Sequence, residues 1–312
     1  MKQPIVTLTD ALTGSTARIL PGYGFNCYSL ELNVDGRSHE LLWAEEGFES
    51  GQRRASGSGI PILFPFPGRI QGTSFQYEGK SYPLHCQQHA GNAIHGFLLD
   101  RPWRVTEQSE RHVVAEFQAS LDEAALLAQW PADFKVTASY TLHNGRLMFS
   151  ILIENPDTGP LPFGLGLHPY FRVPIGGARA DDCVVTAPAD GYWELADMIA
   201  TGEIKPSSQR GKIAGGMKFA EMQFDDVFTK LQYTDGEFTA SIHDPDSGRT
   251  MKLLFDDPFR ECVIYNPPHR EAVCLEPYTC VPDAYRLQQQ GVDSGHRELA
   301  AGMTFAAKME IW

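Results

Sequence analysis

The sequence predicts an all-β protein, a large β-sandwich with few short helices, and three observations carry that expectation. Short runs rich in β-branched and aromatic residues recur from end to end, Gly, Pro, Asn and Asp punctuate them closely, and helical periodicity is nearly absent. So many strands are hard to accommodate in one twisted sheet, so two or more broad sheets packed face to face are expected. No Gly/Ser linker, low-complexity tract or fixed-period repeat divides residues 1–312, which are read as a single domain.

In chain order, strands are expected at 27–34, ending at Asp35-Gly36, at 73–77 before Glu78-Gly79, and at 113–118, 136–142 and 147–154. Asn144-Gly145 joins the last two as a two-residue hairpin signal, because both central positions need φ > 0. Further strands are expected at 183–187, 231–233, 238–243, 250–255, 262–266, 272–276 and 303–312. The best helix signal is 120–129, with Ser120 as N-cap, Glu123 at the capping-box position and a stop before Trp130-Pro131.

Apolar residues make up 42% and charged residues 21%, a composition able to bury a sizeable core. A net charge of -13 and a pI near 5.2, with no basic run to offset them, repel phosphate backbones and anionic lipid. Nucleic acid and membrane partners are therefore excluded, while a small neutral ligand is not. The first ten residues lack the apolar run of a signal peptide and no stretch is long enough to span a bilayer, so a cytoplasmic location is expected. The six cysteines form no Cys-x-x-Cys pair and no zinc-finger spacing, so they are read as reduced, mostly buried thiols, with Cys274 and Cys280 as packing residues.

Five stretches could carry chemistry. In LPFGLGLHPYFR (161–172), read as one strand, Phe163, Leu165 and Leu167 share a face and Gly164, Gly166 and His168 share the other. The glycines beside His168 suggest either a ligand close to the backbone or a bulge carrying a structural histidine. EAVCLEPYTCVPD (271–283) repeats that arrangement: Ala272, Cys274 and Glu276 share a face, and Pro277 is expected to stop the ladder. Glu276 is either a cleft carboxylate or a rim residue in a salt bridge. In PILFPFPGRIQGTSF (61–75) three prolines and Gly68 stiffen the path ahead of Arg69, whose guanidinium suits hydroxyl oxygens or a carboxylate. GNAIHG (91–96) presents Asn92 and His95, and QFDDVF (223–228) presents Asp225 and Asp226. Arg53, Arg54, Arg172 and Arg179 are read as solvated surface charges rather than a phosphate subsite.

Taken together and in order, GRIQGTSFQYEGKSYPL (68–84), NAIHG (92–96), LHPYF (167–171), FDDVF (224–228) and LEPYTCVPDA (275–284) resemble the aldose 1-epimerase, or galactose mutarotase, family. The resemblance implies a galactose-mutarotase-like β-supersandwich, Glu276 as catalytic base, His168 as catalytic acid, and His95, Arg69 and Asp225 as sugar-binding residues, His95 helping to polarise the ring oxygen. Asp225 is preferred over Asp226 because it directly follows the aromatic of the motif. Gly68 before Arg69, and Gly96-Phe97 after His95, depart from the usual family wording and leave the sugar open between a free hexose and a hexose 6-phosphate.

The implied reaction interconverts α and β anomers. A proton leaves the anomeric hydroxyl while another reaches the ring oxygen, the aldehyde rotates, and the ring closes on its other face. An acid and a base are expected to face one another across the sugar, with no metal or nucleotide cofactor. Burial is expected to raise the Glu276 pKa, and neighbouring carboxylates to help His168 keep its proton. The rival readings are a non-catalytic sugar-binding sandwich and a glycoside hydrolase using Asp225 and Glu276.

Overall fold

Alternation along the strands decides how this chain folds, and the computed structural model, which describes residues 4–312, shows it most clearly in two large antiparallel sheets. One sheet has nine strands in the order Arg104–Gln108, His112–Gln118, Lys135–His143, Arg146–Glu154, Thr304–Ile311, Arg249–Asp256, Glu237–Asp244, Val184–Thr186 and Met217–Lys218. The other has eight: Ile199–Pro206, Ala189–Ala196, Asp225–Leu231, Glu261–Tyr265, Ala272–Tyr278, Gly166–Leu167 and Ile62–Leu63, with Tyr170–Arg172 also paired to Ala272–Tyr278.

Side-chain parity sorts the second sheet into two faces. Phe171, Phe228, Cys262, Ile264, Val273 and Leu275 join the same buried cluster as Val113, Phe117, Val136, Phe149 and Phe255 of the nine-stranded sheet. The two sheets thus share one core, as the all-β reading expects. The opposite parity, which includes Asp225, Val227, Val263, Tyr265, Cys274, Glu276 and Tyr278, turns away from that core. A one-residue slip would exchange the two sets, so burial of the first holds the second in place.

The hairpin signal at Asn144-Gly145 is realised, with φ of 52° and 66° between paired strands. All six cysteines are unpaired and five are buried. Among the described residues no helix is long and apolar enough to cross a membrane.

Four expectations need correction. The 120–129 helix is a four-residue turn, Ala119–Asp122, followed by a 3-10 segment, Ala124–Ala128. Its break falls at Glu123, and Ser120 gives its amide and hydroxyl to Asp133 instead of capping the helix. The 161–172 stretch is three short strands, Leu161–Phe163, Gly166–Leu167 and Tyr170–Arg172. What crowds its glycines is protein, not ligand: a Cβ on Gly164 would lie 2.5 Å from Cys280 Sγ, and one on Gly166 2.7 Å from Pro67 and the Tyr278 ring. Pro277 does not end its strand, which continues to Tyr278. The strand expected at 231–233 is instead Asp225–Leu231, because its two acids occupy opposite faces rather than a turn.

Candidate active site

Two short ladders bring the ionisable residues together. Ala272–Tyr278 pairs Tyr278 with Gly166 and Cys274 with Tyr170, so the register in between sets His168 across from Glu276. Their side chains meet, with Nε2 of His168 3.3 Å from Oε1 of Glu276, and both are buried. The second oxygen, Oε2, accepts the Tyr278 hydroxyl at 2.8 Å. The Tyr170 ring stacks on His168 at 4.7 Å with nearly parallel planes and donates its hydroxyl to the Ser56 carbonyl at 2.9 Å. The acid and base of the sequence reading therefore lie side by side on adjacent strands rather than opposed across a hollow.

His95 reaches the same corner by another route. Arg69 pairs with Ile94, and the His95 amide donates to the Gly68 carbonyl at 2.9 Å. His95 has a left-handed φ of 67°, followed by Gly96 at 71°, where a Cβ would lie 2.1 Å from the Phe64 carbonyl oxygen. Only glycine fits there. The turn sets the His95 ring edge-on to His168 at 5.5 Å, and Nδ1 of each imidazole is buried without a hydrogen-bond partner. Buried orphan nitrogens of this kind call for a ligand's hydroxyls.

These residues line one cleft of about 240 Å3, together with Arg69, Asp225 and Tyr265. Arg69 approaches Nδ1 of His89 at 3.3 Å. Asp225 is accessible at the cleft, whereas Asp226, on the opposite face, is buried and pairs with Arg210 at 2.8 Å. All five residues singled out in the sequence, Glu276, His168, His95, Arg69 and Asp225, thus border a common space.

Burial governs the electrostatics. It raises the Glu276 carboxyl well above its usual range, with Tyr278 pulling the other way and Asp225 reinforcing the rise. It also lowers His168 to about 3 and His95 well below an ordinary histidine. The expected rise for Glu276 is found; the expected retention of a proton by His168 is not, because desolvation of the imidazolium outweighs any help from carboxylates. With Glu276 raised above its ordinary value and His168 lowered to about 3, a single proton shared by the touching pair rests on Glu276 rather than on His168. Asp225 is raised by desolvation and held back by Arg69 and His89.

Ligand atoms of His168, Cys274 and Glu276 lie within 4.8 Å of one another, the one such set among the described residues. Burial raises the pKa of both the thiol and the carboxyl, which opposes the deprotonation that a cation would require of them.

The sequence reading missed Tyr170, Tyr278, Ser56, Tyr265 and His89. A signal existed for the first two: stepping two residues from His168 and from Glu276 along a strand lands on the same face, and both steps pass through proline to tyrosine. Arg54, read as a surface charge, is exposed and also lines the cleft. Of the other three arginines in that group, Arg53 pairs with Glu45, Arg179 pairs with Asp182, and Arg172 donates to the Leu42 carbonyl.

A family model described as aldose 1-epimerase matches residues 5–312. The chain belongs to that family. Among the relatives of this epimerase-family chain, the Escherichia coli (strain K12) protein YihR is 24% identical over 236 residues, 74% of this chain and 72% of YihR. Galactose mutarotase of Sus scrofa is 26% identical over 203 residues, and the match spans 61% of this chain but only 57% of the pig protein. A galactose mutarotase-like protein from Clostridium acetobutylicum shares the fold, with a TM-score of 0.85 at 22% identity over 100% of this chain and 98% of that one.

Proposed function

We propose that this chain interconverts the α and β anomers of an aldose, with Glu276 as the base and His168 as the acid. What carries the reading is their contact at 3.3 Å in a buried corner. The side-by-side arrangement suits the chemistry better than opposition would. The anomeric hydroxyl and the ring oxygen are bonded to the same carbon, so the group that takes a proton from one and the group that gives a proton to the other must be neighbours.

The proton count closes. In the reactive tautomer Glu276 is a carboxylate and His168 an imidazolium. The carboxylate accepts the anomeric proton as Nε2–H protonates the ring oxygen, the ring C–O bond breaks, and the open aldehyde faces a neutral acid and a neutral imidazole. That is the protonation state burial favours, so the pair is matched to the charge-poor intermediate. Rotation about C1–C2 and reversal of both transfers give the other anomer and restore the tautomer. A neutral His95 can donate one N–H toward the ring oxygen, while Arg69 and Asp225 bind hydroxyls.

Polarimetry or exchange NMR on freshly dissolved α-anomers tests this. The wild type is expected to exceed buffer, and Glu276→Gln and His168→Gln to lose about 10²-fold or more, the usual contribution of a proton-transfer group. Equal rates in wild type and Glu276→Gln would refute the assignment.

A further inference from the structure

Arg54 is held in place but left uncompensated. Its Nε donates to Ser56 Oγ at 2.9 Å, and Ser56 is buried. The Ser56 carbonyl receives the hydroxyl of Tyr170, the ring stacked on His168. One short chain of contacts therefore fixes the guanidinium relative to the catalytic pair. Among the described residues no carboxylate lies within ion-pair distance of Arg54, and its two terminal nitrogens make no side-chain hydrogen bond, although adjacent Arg53 pairs with Glu45 at 3.0 Å.

The charge of the cleft makes that vacancy informative. The protein has 39 acidic and 26 basic side chains, so an arbitrary surface guanidinium lies in an excess of acids. The cleft differs: two guanidiniums, Arg54 and Arg69, line it and neither makes an ion pair with a carboxylate among the described residues, while Glu276 is buried in the corner against His168 and Tyr278. Arg69 approaches His89 at 3.3 Å and its charge bears on Asp225, whereas Arg54 is anchored through Nε alone, with its terminal nitrogens open to the cleft.

We propose that the aldose taken by this cleft carries an anionic substituent, and that Arg54 is the specificity-determining residue that binds it. This rests on the epimerase reading given above. Because C1 must remain a free hemiacetal for the ring to open, the anion sits on another carbon, as a carboxylate or a phosphate. A guanidinium with a free fork of N–H donors matches either group bidentately. Pairing also removes a repulsion, since the Arg54 charge opposes protonation of both His168 and His95.

Matched sugars test the proposal: galactose against galacturonate, and glucose against glucose 6-phosphate, each followed by exchange NMR and by calorimetric titration. At least one anionic member is expected to exceed its neutral partner about tenfold in kcat/KM, with the excess shrinking as salt rises, because a partly exposed pair is screened. Which pair responds identifies carboxylate or phosphate. Arg54→Gln is expected to abolish the excess and Arg54→Lys to keep part of it. Equal use of neutral and anionic sugars, or an excess that survives in Arg54→Gln, overturns the proposal and leaves the epimerase reading standing. If no sugar is turned over, that reading fails, and the titrations decide this one alone: anion binding must exceed neutral binding and must weaken in Arg54→Gln.

Discussion

Tyr278 donates its hydroxyl to Oε2 of Glu276 at 2.8 Å from two residues further along the same strand. The contact is buried, and it favours the charged form of Glu276 against desolvation and Asp225. A base must be a carboxylate when it acts, so the phenol bears on rate rather than on folding. Tyr278→Phe keeps the ring and removes the donor. The Glu276 pKa then rises, the reactive tautomer becomes rarer so that kcat falls, and the alkaline limb of the kcat–pH profile, where the pair loses its one proton, moves to higher pH. A hydrogen bond to a charged group contributes about 1.5–3 kcal/mol, which corresponds to roughly one to two powers of ten in kcat. An unshifted alkaline limb in Tyr278→Phe would count against a Glu276 base.

Gly96→Ala probes how the backbone aims His95. The new Cβ would lie 2.1 Å from the Phe64 carbonyl oxygen at a residue whose φ is 71°, so the turn must open. Left-handed backbone at a non-glycine residue costs about 1–2 kcal/mol before any clash. We expect a lower urea midpoint together with a fall in kcat that exceeds what the loss of folded protein explains. Wild-type stability in Gly96→Ala would show that the turn is not required.

Much of this was legible in the sequence, and the limits have physical causes. Strand parity alone separated Val273 and Leu275 from Cys274 and Glu276, since side chains alternate locally. The same rule set His168 on one face with Gly166, although the strand is broken there, because Gly166 and Tyr170 both pair with Ala272–Tyr278. Burial depth was not legible. Whether His168 keeps its proton depends on how much water the fold removes from it, a property of many distant residues. Arg54 is exposed, as a solvated surface charge should be; that it also lines the cleft was not legible, because the other residues bordering that cleft are remote in sequence.

Asp225 and Asp226 are adjacent, chemically identical and structurally opposite, so they separate binding from stability. Asp225 borders the cleft and Asp226 pairs with Arg210 behind the sheet. Asp225→Asn is expected to raise KM about tenfold or more with little change in the urea midpoint, as loss of a hydrogen bond to a charged group does. Asp226→Asn is expected to lower the midpoint and leave KM near the wild-type value. Exchanged phenotypes would reassign the sugar-facing acid to Asp226.

Glu261 gives the stability of the fold a pH dependence that does not involve the cleft chemistry. Its side chain is 1% exposed, Oε2 has no hydrogen-bond partner, and burial raises its pKa to about 8. The sign follows from proton counts. Between the ordinary carboxyl value near 4.5 and about 8, the unfolded chain has released this proton and the folded chain retains it. The folded state then binds more protons, so stability falls as pH rises through that window. At about 1.4 kcal/mol per pH unit the loss is on the order of a few kcal/mol at most. Glu261→Gln keeps a neutral group of the same size and has no proton to lose. Urea midpoints of wild type and Glu261→Gln should agree best near pH 5 and diverge by pH 8, with the variant more stable at the higher pH. Parallel midpoint curves across that range would mean that Glu261 does not hold its proton in the folded protein.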